Sequence, residues 1–241
     1  MTASDYGERW ADLYDAVYAS QFDTEGAVNR ISALAGDGRV LDLGIGTGRL
    51  AIPLQQRGVD VHGIEASPAM LERLHTDPVG ATIPTVLGDF ADVDIDGDFD
   101  VIVCAVSTLF MLPDPELQIR CLDRSRAHLT HRGVIVIEAF VPDPCRYQGG
   151  QRVEIRSIHN DNVHLVATRH DPVAQRYELA HLIIGTTGTD LRPVHLRYAW
   201  PSELDLMARL AGLRLDQRNA GWRLEPFGAS SSQHVSLYRR A

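Results

Sequence analysis

The chain contains no lysine; all 23 of its basic residues are arginines. That absence excludes Schiff-base chemistry on a lysine amine and any phosphate loop that relies on a lysine. Cysteine is scarce too. Cys104, Cys121 and Cys145 are odd in number, far apart and form no C-x-x-C pair, so neither a cysteine metal site nor a redox couple is expected. Lone thiols of this kind suit a reducing compartment and read as small core residues. Positive charge is in deficit, with a formal net charge of -9, which argues against a broad nucleic-acid-binding surface. Long apolar runs are missing as well: the longest, Val134 to Val141, is far short of a membrane span and holds Glu138. The opening M-T-A-S-D-Y-G-E-R-W lacks the basic and apolar regions of a signal peptide. Together these gaps predict a cytoplasmic protein with no membrane and no nucleic-acid partner. The 241 residues, 44% hydrophobic and 23% charged, are enough for one large domain with a buried core.

What is present alternates between strand and helix. Residues from about 5 to 35 read as helical, with Trp10, Leu13, Tyr14, Val17 and Tyr18 at three- and four-residue intervals, predicting a helical cap over 1–36. R-V-L-D-L (39–43) reads as a short buried strand ending at a glycine cluster. A helical pattern follows over 49–57, with Gly58 as its C-cap, then a second strand V-D-V-H-G-I-E (59–65). Ser67-Pro68 opens the next helix. A third strand is expected at 84–89 and a fourth at 99–106. A helix from about 115 to 129 then leads through the turn T-H-R-G to a fifth strand at 134–140. Continuous apolar strands separated by helices indicate a parallel sheet covered on both faces, here over 37–141.

Between 142 and 200 the rhythm changes. R-V-E-I-R-S-I, N-V-H-L-V-A-T, Q-R-Y-E-L-A-H-L-I and V-H-L-R-Y-A-W mostly alternate apolar and polar residues with no helix between them. They predict an antiparallel insertion after the fifth strand, placed to roof a ligand site over the sheet's carboxyl edge or to pair two copies of the chain. A helix at 201–213 and strands at 213–217 and 234–239 then complete the core over 201–241. The histidines of the insertion, His159, His164, His170, His181 and His195, match no metal spacing, so no metal is expected; one of them facing the acceptor could act as a base. Tyr198 and Trp200 read as core packing.

A strand, a glycine turn and a helix N-terminus make a nucleotide-binding corner. Its dinucleotide form is G-x-G-x-x-G. Here Gly44, Gly46 and Gly48 give G-x-G-x-G, and Arg49 stands where the third glycine belongs. Asp42 precedes the turn, and an anion there repels a pyrophosphate while suiting a ligand that carries an amine. Both points favour a cationic nucleotide-like ligand over a nicotinamide dinucleotide.

The stretch D-L-G-I-G-T-G resembles the first motif of class I S-adenosylmethionine (SAM)-dependent methyltransferases, and the likeness extends over nearly the whole chain. It implies a Rossmann-like α/β fold: a doubly wound, mostly parallel seven-stranded sheet. SAM is the implied cofactor and S-adenosylhomocysteine its product. Asp42 would order the turn and the methionyl end of SAM, and Gly44, Ile45, Gly46 and Gly48 would admit it along the backbone. Glu65, closing V-H-G-I-E, would hold the ribose hydroxyls, with Ala66 beside it. Asp89 would approach the adenine amine, flanked by Phe90 and by Met70 as an apolar wall. The segment C-A-V-S-T-L-F (104–110) is similar to the one bordering both SAM and acceptor, which brings in Ala105 and Val106 for SAM and Ser107 and Phe110 for the acceptor. E-A-F-V-P-D (138–143) and R-Y-A-W-P-S-E-L (197–204) look like a bacterial group of small-molecule methyltransferases, adding Phe140 to the acceptor side. That group commonly has asparagine where this chain has Ser107. Y-D-A-V-Y (14–18) resembles the cap helix of amino-sugar and glycine N-methyltransferases. It makes Tyr14 the candidate residue closing over SAM near the reacting atom, and Tyr18 a substrate contact.

Methyl transfer to an N, O or C atom of a small molecule, plausibly a secondary metabolite, is the expected function. A SAM-binding protein that transfers no methyl shares every motif, and a nicotinamide oxidoreductase shares the corner. A homodimer is compatible with the insertion.

Overall fold

The computed structural model describes residues 3–18 and 21–241. Residues 1, 2, 19 and 20 of the predicted helical cap lie outside them. The cap is three helices rather than one: α1 (Ala3–Trp10), α2 (Tyr14–Tyr18) and α3 (Thr24–Ala35). Asp23 starts α3 as its N-cap by accepting the N–H of Gly26 at 3.0 Å.

The core is a seven-stranded sheet. Strands β1 (Arg39–Leu43), β2 (Asp60–Glu65), β3 (Thr85–Leu87), β4 (Phe99–Cys104) and β5 (Leu129–Phe140) run parallel, as continuous apolar segments buried on both faces require. The closing strands β10 (Leu213–Asn219) and β11 (Gln233–Arg240) follow the insertion. The spatial order is β3-β2-β1-β4-β5-β11-β10, with β11 antiparallel to both its neighbours. Helices α3, α4 (Ala51–Gln56) and α5 (Pro68–Thr76) cover one face through Ile31, Leu54 and Leu74. The other face is covered by α6 (Pro115–Ala127) and α7 (Pro201–Leu210), through Leu122, Leu204 and Met207.

Several expected boundaries move. The predicted turn T-H-R-G is part of β5: Phe99 pairs with Leu129 and Val101 with Val134, so β5 bulges by several residues instead of starting at Val134. Strand β4 stops at Cys104 and not at 106, because Val106 and Ser107 take left-handed backbone angles, φ 51° and 61°. Cys145, expected in the core, is exposed in a short 3-10 turn; Cys104 and Cys121 are buried. No helix among the described residues is long and apolar enough to cross a membrane.

The insertion is a meander of β6 (Gln151–Ile158), β7 (Asn162–Asp171), β8 (Arg176–Gly185) and β9 (Gly188–Arg197). Its last hairpin, β8 to β9, closes between Gly185 and Gly188 over two threonines. Strand β9 ends at Arg197, so Tyr198 to Trp200 are not strand. Tyr198 is core, whereas Trp200 is exposed.

A buried polar knot joins this second sheet to the core. Gln118 of α6 donates to the carbonyl of Arg197 at 2.8 Å and lies 3.3 Å from those of Leu109 and Leu112. Its own carbonyl accepts from Arg197 Nη1 at 3.0 Å, and Arg197 Nη2 reaches Glu203 of α7 at 2.5 Å. Removing one member strands the others away from water. Gln118→Leu is therefore expected to destabilise the fold by roughly 2–4 kcal/mol in urea unfolding. Amide exchange should rise first in β8 and β9; an unchanged midpoint would show the knot to be dispensable.

Candidate active site

The corner after β1 is held from β2. The N–H groups of Gly44 and Ile45 both donate to the carbonyl of Ile64, at 2.8 and 3.1 Å. Glu65, last in β2, accepts three backbone N–H groups: Gly46 at 3.0 Å, Ala66 at 3.0 Å and Ser67 at 2.9 Å. Burial pushes its carboxyl pKa up, and the three donors pull against that rise. Only glycine fits at Gly44, where φ is +74° and a Cβ would lie 2.7 Å from Thr108. Gly46 faces open cavity. Gly48 serves packing instead: a Cβ there would meet Leu74 at 2.4 Å and Ile52 at 2.9 Å.

Asp42 is buried behind this turn, and its carboxylate has no hydrogen-bond partner among the described residues. Burial pushes its pKa up to about 7, opposed by the Arg49 guanidinium and reinforced by the charge of Glu65. A buried, unpartnered carboxylate beside backbone opened by glycine fits a ligand that brings a positive group and stretches along the turn.

The cap helices close over the corner through polar latches. Glu8 of α1 accepts from Ser67 Oγ at 2.8 Å and from the N–H of Ala69 at 3.0 Å. Thr47 donates to Asp15 at 2.6 Å. Arg49, for which the sequence suggests no chemistry, donates to Thr24 at 3.0 Å and lies over the Phe22 ring at 5.1 Å. On the insertion side, Arg192 of β9 grips Asp12 with both Nη atoms, at 2.6 and 3.1 Å. These latches carry a ladder of rings, with Tyr6 and Tyr18 packed on Trp10 and Tyr14 and Phe22 on Tyr18, at centroid distances of 5.0–5.8 Å.

Beneath the cap lies a cavity of about 830 Å³, within the size range of small-molecule sites. Its floor is the left-handed pair Val106–Ser107. For a β-branched residue such an angle is strained, so something must hold it. Glu138 of β5 does so: its carboxylate accepts the Val106 N–H at 2.8 Å and the Trp222 indole N–H at 2.7 Å, and its carbonyl accepts the Ser107 N–H at 2.9 Å. Ser107 Oγ in turn accepts the N–H of Phe140 at 3.1 Å. The far wall is the inner face of the insertion, including Thr168, Tyr177, Leu179 and His181.

Of the residues singled out from sequence, Tyr14, Tyr18, Gly44, Gly46, Glu65, Ala66, Met70, Phe90, Val106, Ser107 and Phe140 line this one cavity. Six others stand behind or beside it. Asp42 and Gly48 are described above. Ile45 is buried against Gly63, Ala105 is buried at the end of β4, and Phe110 packs under Phe140 at 5.1 Å. Asp89 is exposed and turns back to accept the N–H of Ala91 at 2.9 Å. Sequence reasoning missed Tyr6, Glu138 and Trp222 as site residues. Glu138 did carry a signal, as an acid inside an otherwise apolar buried strand.

Comparison with known proteins follows the geometry. Residues 40–133 match the family described as "Methyltransferase domain". A cypemycin N-terminal methyltransferase from Streptomyces sp is 30% identical over 98% of this chain and 97% of that protein. The solved CcbJ methyltransferase from Streptomyces caelestis is 38% identical, covers all of both chains and superposes with a TM-score of 0.94. A dTDP-4-amino-2,3,4,6-tetradeoxy-D-glucose N,N-dimethyltransferase from Saccharopolyspora spinosa is 31% identical over 58% of this chain and 57% of that protein. A relative matched from end to end, the strand order of the sheet and the glycine corner with its acids converge: the chain belongs to the class I SAM-dependent methyltransferases, with SAM as its cofactor.

Proposed function

We propose that the protein methylates an amine nitrogen of a small, secondary-metabolite-type molecule. When bound, SAM supplies a methyl group on a positively charged sulfur, already activated for transfer. Asp42 would meet its amino group, and Gly44, Ile45 and Gly46 would carry its backbone-hugging end, with Gly48 packing the turn. Glu65 would take a ribose hydroxyl on the oxygen that now holds only Gly46. Ala66, Met70, Phe90 and Asp89 would flank the adenine, and Ala105 and Val106 would close the floor. Tyr14 would shut the cap over the reacting atom, leaving Tyr18, Ser107, Phe140 and the supporting Phe110 to shape the acceptor chamber. Excluding water and aligning an acceptor in this way supplies several kcal/mol of catalysis without acid–base chemistry.

The observation that carries nitrogen over oxygen is the lack of a free base. His181 is the one imidazole lining the cavity among the described residues. Its Nδ1 lies 3.0 Å from Nε2 of His164, with no carboxylate as partner, and burial aided by the charges of His164 and Arg156 pulls its pKa down to about 3. Glu65 and Glu138 are occupied by the backbone donors they hold. An amine that arrives unprotonated needs no base, whereas a hydroxyl acceptor usually does. The relative above that is named as an N,N-dimethyltransferase of a 4-amino sugar nucleotide supports this reading.

The insertion serves two faces in this reading. Its inner face roofs the acceptor. Its outer face exposes Val153, Ile155, Ile158 and Leu191 by 67%, 63%, 67% and 55%, next to Leu165 and Leu182, an apolar stretch on which a second copy of the chain would pack. The divisions 1–36, 37–141, 142–200 and 201–241 then act as cap, SAM-binding core, roof with dimer face, and core completion. The unpaired thiols suit the cytoplasm.

Three results are expected. Glu65→Ala should raise the SAM dissociation constant roughly 10–100-fold by calorimetry, the loss of one or two charge-assisted hydrogen bonds; in the same titration, wild-type affinity should fall below pH 7 as Asp42 protonates, and Asp42→Asn should flatten that dependence. Screening with isotopically labelled methyl should yield N-methyl products, and His181→Gln should lower kcat less than about tenfold; a methyl found on oxygen, or a far larger loss, would overturn the assignment. Sedimentation should show a dimer that Ile155→Asp converts to monomer; a monomeric wild type would remove the dimer face.

A further inference from the structure

Six charged side chains line the cavity: Glu65, Glu138, Asp143, Arg146, Glu154 and Arg156. Five are engaged within the chain. Glu65 holds the turns of the glycine corner, Glu138 holds Val106 and Ser107, and Asp143 accepts the N–H of Cys145 at 3.1 Å. Arg146 pairs with Glu154 at 2.9 Å, and Arg152 meets the same Glu154 oxygen. Arg156 alone has no hydrogen bond or ion pair among the described residues.

Along β6, alternation puts Arg156 on the same face as Glu154, which also lines the cavity, while Val153 and Ile155 are exposed on the outer face. Ile155 pairs with Leu165 and Ser157 with His164, so Arg156 is also the extra, unpaired residue of a β-bulge, a feature that recurs beside active sites. The positive charge is felt across the wall of the cavity, where it works against the burial that raises the pKa of Tyr18 on α2 and adds to the burial that lowers those of His164 on β7 and His181 on β8. Arg156 therefore stands where the cap meets the insertion, facing the acceptor chamber. The protein as a whole carries -9 and the cavity holds four carboxylates, so its general field opposes an anionic ligand. Arg156 is solvent-exposed at this wall, so its guanidinium is free to receive an anion that arrives with the substrate. The guanidinium fork suits the paired oxygens of a carboxylate or phosphate.

We propose that Arg156 docks an anionic oxygen group of the acceptor, a carboxylate or a phosphate ester, so that the substrate is an amine that also bears an anion. This rests on the N-methylation reading for the amine, and on the cavity alone for the anion.

Calorimetry on the full chain saturated with S-adenosylhomocysteine tests it without any turnover. L-phenylalanine and O-phosphoethanolamine represent the carboxylate and phosphate sources, and phenethylamine and ethanolamine are the matching amines without the anionic group. At least one anion-bearing member should bind tenfold or more tightly than its counterpart, and which one does so identifies the oxygen group. Arg156→Gln should abolish that preference, leave the affinity of the anion-free amine within twofold and preserve binding of S-adenosylhomocysteine; Arg156→Lys should restore part of it. Equal binding of anion-bearing and anion-free members, a preference that survives Arg156→Gln, or no binding by any of the four would each overturn the proposal. A methyl later found on oxygen or carbon would refute N-methylation and leave this binding result standing.

Discussion

The site depends on one carboxylate. Glu65 ends β2 and gathers the N–H groups of Gly46, Ala66 and Ser67, tying the turn after β1 to the turn before α5. Three backbone donors on one buried acid cannot be satisfied by water, so the two turns keep their relative position as long as the acid stays in place. Everything that faces the cofactor is built outward from that tie. Ser67 caps α5 and hands a hydrogen bond to Glu8, and Glu8 sets α1. The glycines open the space beside the tie and Asp42 waits behind it.

A second buried acid does the same work on the acceptor side. Glu138 holds a valine in a left-handed conformation that its branched side chain disfavours, and Trp222, from the far end of the chain, completes its set of donors. The floor of the cavity therefore needs β4, β5 and the segment before β11 all in register. Cofactor corner and acceptor floor share one logic: an acid at the C-terminal end of a parallel strand uses its lone pairs on backbone N–H groups and so fixes a loop where reactants meet. That leaves neither acid available as a base, which matches a reaction whose leaving group is activated by the cofactor itself.

The antiparallel insertion adds a wall without disturbing that frame. Its inner face mixes aromatic, polar and aliphatic side chains, its outer face exposes an aliphatic stretch, and the Gln118–Arg197–Glu203 knot anchors it to α6 and α7. Arg192 carries the anchoring on to the cap by gripping Asp12. Cap and insertion are thus latched to each other beside the cavity.

The local code was readable from residues alone. Apolar strand runs, the helix start at Ser67-Pro68, glycines whose positive φ no other residue adopts easily, and acids at strand ends all act over a few residues, and they pointed to the parallel core and the cofactor. What depended on long-range packing was not readable. The bulged start of β5 follows from its pairing with β4, the left-handed Val106 from Glu138, and the exposure of Cys145 from where the chain crosses into the second sheet. Tyr6, Trp222 and Arg156 are unremarkable in their own neighbourhoods and become site residues only when distant segments converge. By itself, then, the sequence determined a parallel α/β core with a glycine corner suited to a cationic nucleotide-like ligand, because those rest on short-range steric and capping rules; resemblance to class I methyltransferases supplied the name of that ligand. Tertiary structure decided which side chains face the acceptor and which carboxylates are already occupied, because a hydrogen-bond partner hundreds of atoms away along the chain leaves no trace in local pattern.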